Sequence, residues 1–175
     1  MRSLVVKVVS GGQTGADRGG LDAAISLGIP HGGWCPKGRL AEDGGIPSKY
    51  GLVETRSRSY LARTEQNVVD SHLTLIFTHG QPSGGSKRTV DFAVKHCRPW
   101  LHADLDQQDD KAIARGILEW LSGGGLECPS VPTPPANPVV NVAGSRESKA
   151  PGIQERVAKI MTLVLNWPEY PPHGE

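Results

Sequence analysis

The sequence predicts an α/β protein of three layers, α/β/α, with a central parallel sheet of at least five strands. Three observations carry this. Strand and helix patterns alternate five times along the 175 residues. Two runs, Val5 to Val9 and Leu73 to Phe77, are almost continuously apolar, as strands buried on both faces are. Glycine-rich turns follow the strands and open the next helix. Such alternation gives a parallel sheet, because each crossover is right-handed and lays its helix over the sheet.

The elements follow in order. Leu4 to Val9 is a strand, expected at the sheet centre, and it ends in Ser10-Gly11-Gly12. Asp17 to Leu27 is a helix, with Leu21, Ala24 and Ile25 on one side and Gly28 as its stop. His31 to Trp34 is a short second strand. Cys35 to Ser59 is an irregular loop dense in Gly, Pro and charge, long enough to suggest a functional or mobile segment. Tyr60 to Ser71 is a helix and His72 to Thr78 a strand. A polar glycine loop leads into a helix from Lys87 to His96. Pro99 to Ala103 is the fourth strand and Asp109 to Leu121 the fourth helix. The stretch 123–138 holds five of the 14 prolines and reads as a surface excursion. Pro138 to Ala143 is the fifth strand, and Ile153, Val157, Ile160, Met161 and Val164 mark a last amphipathic helix.

Length fits a single domain over 1–175. The 19 Lys and Arg against 18 Asp and Glu leave a net charge of +1, too little surplus for non-specific nucleic-acid binding. Three separated cysteines, Cys35, Cys97 and Cys128, exclude a disulfide framework and argue against a zinc cage. Reduced thiols suit a cytoplasmic location. No apolar run reaches membrane-span length, and Met1 to Ser10 reads as a strand rather than a signal peptide. The six histidines show no metal-ligand spacing, so no metal site is expected.

Parallel strands send all their carboxyl ends to one edge, where ligands bind. Three glycine loops lie there. The first, Gly11, Gly12, Gln13, Thr14 and Gly15, runs into Asp17 and a helix start whose free N–H groups suit an anion. It is not G-x-G-x-x-G, and the second strand ends in Trp34-Cys35-Pro36-Lys37 rather than a ribose-binding acid, so neither NAD nor FAD is expected. The second loop brings Ser83, Gly84, Gly85, Ser86 and Arg88. Its Lys87 stands without the G-K-[ST] order of an ATPase P-loop. Cations at a helix start oppose its dipole unless an anion is bound. The third loop offers Gly144, Ser145 and Arg146. Lys37 and Arg39, with Glu42 and Asp43, belong to a candidate lid. Tyr60, Arg63, Asn67 and Asp70 share one helix face that could border a pocket.

Several of these stretches are long and specific: Ser10-Gly11-Gly12-Gln13-Thr14-Gly15-Ala16-Asp17-Arg18-Gly19, Gly33-Trp34-Cys35-Pro36-Lys37-Gly38-Arg39, and Glu42-Asp43-Gly44 with Ile46-Pro47 and Tyr50. So are Arg63-Thr64 with Asn67-Val68, Ser83-Gly84-Gly85, and Asn141 to Ser148. Together they resemble the putative molybdenum carrier family, over the chain from first strand to last helix. The resemblance implies a Rossmann-like fold and a phosphate-bearing ligand, the molybdenum cofactor (molybdopterin) above all. It implies kinship with lysine-decarboxylase-like proteins and nucleotide phosphoribohydrolases. Their P-G-G-x-G-T-x-x-E motif stands where this chain has Ser83 to Asp91, with Lys87, Arg88 and Asp91 replacing Gly, Thr and Glu. It further implies a homo-oligomer, dimer or tetramer, for which Leu118, Trp120 and Leu121 are candidate contacts.

Two functions follow. The first is a non-catalytic carrier of the molybdenum cofactor or a nucleotide-like molecule, with no membrane or nucleic-acid partner. The alternative is a nucleotide-processing hydrolase, with Asp91 or Asp17 as the acid and Arg88 or Arg18 as the phosphate clamp.

Overall fold

A computed structural model describes residues 5–123 and 134–166. Leu4, Cys128, most of the proline-rich stretch and the tail from Trp167 lie outside the described residues. The chain runs β1 (Lys7–Val9), α1 (Ala16–Ser26), β2 (His31–Gly32), β3 (Trp34–Cys35), β4 (Leu40–Ala41), β5 (Gly44–Gly45), β6 (Val53–Glu54) and α2 (Tyr60–Val69). It continues through β7 (Leu73–Thr78), α3 (Gly84–Lys95), β8 (Trp100–Asp104), α4 (Asp110–Leu121), β9 (Val139–Gly144) and α5 (Ile153–Leu165). The main sheet has five parallel strands in the order β2-β1-β9-β7-β8.

Period-two alternation divides β7 between two environments. Leu73, Leu75 and Phe77 join Val140 and Val142 of β9 in one core with residues of α1, α4 and α5. Thr74, Ile76 and Thr78 take the alternate positions and are also buried. There α3 packs on β7 and β9, and α2 packs on α3. The three-layer α/β architecture expected from the sequence is therefore present. Truncating a wholly buried side chain such as Leu75 removes atoms from both contacts and a closed core, a change that costs about 2–5 kcal/mol.

Three expectations need correction. The central strand is β9, not β1. Val140, Asn141 and Val142 are 0–2% exposed and covered on both faces, whereas β1 carries Lys7 and follows the half-exposed Val6. The second strand divides. Gly33 has φ +121 and turns the chain out of the main sheet, so Trp34 and Cys35 pair with β6 instead. And α3 begins three residues earlier than Lys87, at Gly84, which places Gly85, Ser86 and Arg88 within its first two turns.

Leu118 and Trp120, expected at an oligomer contact, are buried in the protein's own core, and Leu121 packs against it. The long loop is not irregular either. Its β4 and β5 form a small antiparallel hairpin, and Cys35, Ile46, Tyr50 and Leu52 close with Leu21 into a second apolar cluster. No helix among the described residues is long and apolar enough to cross a membrane.

Candidate functional site

The carboxyl ends of β1, β7 and β9 open on a cleft of about 240 Å³. Each of the three glycine loops supplies part of its lining: Gly11 and Gln13 from the first, Ser83, Gly85, Ser86 and Arg88 from the second, Gly144, Ser145 and Arg146 from the third. Asp17 lines it as well. Gly12, Thr14, Gly15 and Gly84 lie beside the lining residues without bordering the cleft, and they shape the turns instead. Gly12 and Gly15 have φ of +72 and +84, and Gly84 opens α3 at +51.

The first loop is held by its own side chains. Gln13 is 4% exposed. Its Oε1 accepts the backbone N–H groups of Thr14 at 3.1 Å and Glu42 at 2.9 Å. Its Nε2 is buried with no partner among the described residues. Asp17, on the first turn of α1, accepts the Gln13 N–H at 3.2 Å and the Arg63 guanidinium at 3.1 Å, both on Oδ2. Burial pushes the Asp17 carboxyl above its ordinary range, and the nearby Arg63 charge pulls it partly back. Arg63 reaches from α2 across Gly11, close enough that a Cβ there would overlap its guanidinium. Its Nε is a second buried donor without a partner among the described residues. A donor in that state costs about 1–3 kcal/mol, which is why natural structures contain few.

The mouth of the cleft is cationic. Arg88 lies on the second turn of α3, and the Lys149 ammonium is 3.6 Å from where a Cβ on Gly84 would stand. Neither side chain has a carboxylate partner among the described residues. Both therefore sit at the positive end of the α3 dipole, an arrangement that repels itself until an anion arrives. Arg146 packs over the Tyr60 ring at 5.3 Å, and Arg63 approaches the same ring at 6.0 Å.

One wall is fastened from outside. Glu42, at the tip of the β4–β5 hairpin, accepts bonds from the Thr14 hydroxyl, the Ser148 hydroxyl at 2.6 Å and the Ser148 N–H at 3.2 Å. Partial burial raises its carboxyl, but these bonds outweigh that and hold it below its ordinary range. Beside it Asp43 takes both guanidinium nitrogens of Arg18, at 2.6 and 2.8 Å, while Arg18 Nε donates to Gly12 O at 3.0 Å.

Other expected residues lie elsewhere. Arg39 donates to the carbonyls of Ile46, Pro47, Leu52 and Tyr50, so it braces the long loop and does not face the cleft. Lys37 is exposed on the same loop. Asp91 points out of the cleft to Lys87 at 3.0 Å. Of the α2 face expected to border a pocket, Tyr60, Arg63 and Asn67 do line the cleft, with Asn67 also paired to the Trp34 backbone, while Asp70 lies outside it and accepts from the Trp34 indole at 2.7 Å. Lys149, which with Arg146 was open to an anion-binding reading in the third loop, lines the cleft, and so do Asn141 and Thr89, which the sequence did not single out. Asn141 stood inside an apolar strand, where a lone amide was the available signal. No cluster of His, Cys, Asp and Glu suited to a metal is present among the described residues.

Comparison with known proteins identifies the family and a solved structure of the same fold. The family described as circularly permutated YpsA SLOG matches residues 8–165. A crystal structure of a protein from Syntrophus aciditrophicus SB, named a putative molybdenum carrier protein, is 41% identical. The alignment covers 94% of this chain and 98% of that one, with a TM-score of 0.83. No curated protein matches the chain.

Proposed function

The chain belongs to the circularly permutated YpsA SLOG family, and from that premise we propose that it binds and carries, unchanged, a small ligand with a phosphate or similar oxyanion group. The molybdenum cofactor (molybdopterin) and nucleotide-like molecules are the two candidate cargoes. The carrier name of the Syntrophus aciditrophicus protein supports the role. The observation that carries the reading is a pair of cations beside the start of α3, Arg88 and Lys149, with no carboxylate partner among the described residues. Oxyanion oxygens take the helix N–H groups and both charges at once. Of the two candidate acids, Asp91 is turned to Lys87 on the exposed side of α3, away from such a ligand, while Asp17 lines the cleft with its Oδ2 engaged by the Gln13 N–H and Arg63. A dimer or tetramer would have to use surfaces other than Leu118 and Trp120.

Calorimetric titration with inorganic phosphate, molybdate and nucleoside monophosphates tests the reading. Arg88→Met removes a charge-assisted contact worth about 1.5–3 kcal/mol, so affinity for the anion that binds falls roughly ten- to a hundredfold. Gly85→Ala, at an unstrained position with open space for its Cβ, crowds the ligand side of the same turn while the fold is retained. Equal affinity in wild type and Arg88→Met overturns the site. Release of free base from a nucleotide overturns the carrier role in favour of hydrolysis.

A further inference from the structure

The main sheet ends in two unlike edges. At one, β2 is two residues long, follows Pro30 and is turned away at once by Gly33. Shortness and proline are common guards of a free edge. At the other, β8 runs for five residues, Trp100–Asp104, without Pro or Lys. It pairs with β7 in parallel, and the bonds at its two ends show which way each residue faces. The Thr74 N–H donates to the Pro99 carbonyl at 3.0 Å, and the Leu105 N–H donates to the Thr78 carbonyl at 2.8 Å. Odd-numbered residues therefore bond inward to β7, and Trp100, His102 and Asp104 turn their backbone groups outward. The Asp104 carbonyl takes the Gln107 N–H at 3.2 Å. The other outward groups, three N–H and two C=O, have no partner among the described residues.

Charge runs along the same edge. Arg98 stands just before β8, donates to the Val69 carbonyl and has no carboxylate partner among the described residues. Asp104 and Asp106 stand at the other end. A copy that runs antiparallel alongside brings the cation of each chain to the acidic end of the other. We infer that β8 is the seam of a twofold dimer, in which it pairs antiparallel with β8 of a second copy about His102 and joins two five-stranded sheets into one. Centring on His102 sets His102 against its own counterpart and Trp100 against Asp104 of the second copy. Each unmet carbonyl then receives an unmet N–H, and the Trp100 N–H meets the second lone pair of the Asp104 carbonyl. Such a contact is isologous, so every bond occurs twice. Trp100, 37% exposed, is covered by the pairing. No residue of β8 lines the cleft, so the inference stands apart from the cargo reading.

A single strand pair is a small interface, so the dimer is expected to form reversibly, and sedimentation velocity of the full chain from about 1 to 200 µM reads it. Wild type should pass from monomer towards dimer across that range. His102→Pro deletes the central outward N–H, at a place where an edge strand accommodates proline, and should stay monomeric with an unchanged circular dichroism spectrum. Arg98→Glu and Asp106→Arg should each weaken the dimer roughly three- to thirtyfold, since symmetry counts each exchange twice, and the double variant should restore it to within about threefold. A wild type that is monomeric throughout overturns the inference and leaves the edge to an extended segment of some other protein. A dimer unchanged in folded His102→Pro places the contact elsewhere and overturns it too. If His102→Pro does not fold, the charge exchange decides: single variants without effect, or a double variant no tighter than either, overturn the antiparallel pairing.

Discussion

Gly15→Ala should lower the melting temperature by about 4–24 °C. The residue has φ +84, and a Cβ built on it lies 2.3 Å from the Ser145 carbonyl oxygen and 2.7 Å from the Glu147 nitrogen. Neither atom can rotate away, since both belong to the backbone of the third loop. The Ser145 oxygen already accepts the Ala16 N–H at 3.1 Å. Left-handed strain and forced displacement each cost about 1–3 kcal/mol, giving roughly 2–6 kcal/mol together. In a domain of this size each kcal/mol moves the midpoint by about 2–4 °C. Gly85→Ala is the control, expected within about 2 °C of wild type because it meets neither strain nor clash. Thermal melts followed by circular dichroism read both. A Gly15→Ala midpoint within 2 °C of wild type would refute the backbone clash.

Arg63→Met should cost about 3–5 kcal/mol at pH 8, because it leaves Asp17 buried without its countercharge. The deficit should shrink as pH falls. Asp17 already has its folded value raised above the unfolded one by burial, so its protonated form favours the folded state. Stability tied to that proton is full below the unfolded value and lost as pH rises through the folded one. Removing Arg63 takes away the first influence opposing the shift, so the folded value rises further. The loss then extends over a wider span above the ordinary carboxylate range. Urea unfolding of both proteins at pH 5 and pH 8 checks this. The wild-type difference at each pH cancels carboxylates that behave alike in both, such as Asp43 and Asp22, whose values are held low and which lose stability as pH falls. A deficit independent of pH would mean that Arg63 acts through packing on Gly11 alone.

The sheet was legible because buried parallel strands leave an unmistakable pattern: Leu73 to Phe77 has nowhere to go but inside. The convergence of the three loops was legible for a geometric reason, since parallel strands share one exit edge. Strand order was not, because nothing local in Val139–Gly144 states which neighbours it will have. Arg39 was misplaced for a chemical reason. Its four partners are backbone carbonyls, which every residue owns, so no side-chain pattern announced the brace. The orphan amine of Gln13 was hidden likewise, since it exists only once Glu42, 29 positions away, has taken the oxygen. Arg63 was visible as a polar stripe on its helix, but its reach to Asp17 spans 46 positions and belongs to the folded state.

The place of β9 between β1 and β7 has a consequence for how the chain is made. A ribosome delivers the N-terminal side first, at about 5–20 residues per second. Lys7–Val9 and Leu73–Thr78 emerge well before Val139–Gly144. For several seconds the nascent polypeptide therefore has β1, β2, β7 and β8 but lacks the strand that joins the two pairs in the finished sheet. Until β9 arrives, the edges of β1 and β7 that it pairs with lack their backbone partner, the condition that invites pairing with a foreign strand. On a polysome the nearest sequence able to take that place is the 139–144 segment of the molecule synthesised just ahead. The seam that completes each sheet is thus also the place where two neighbouring copies can exchange a strand.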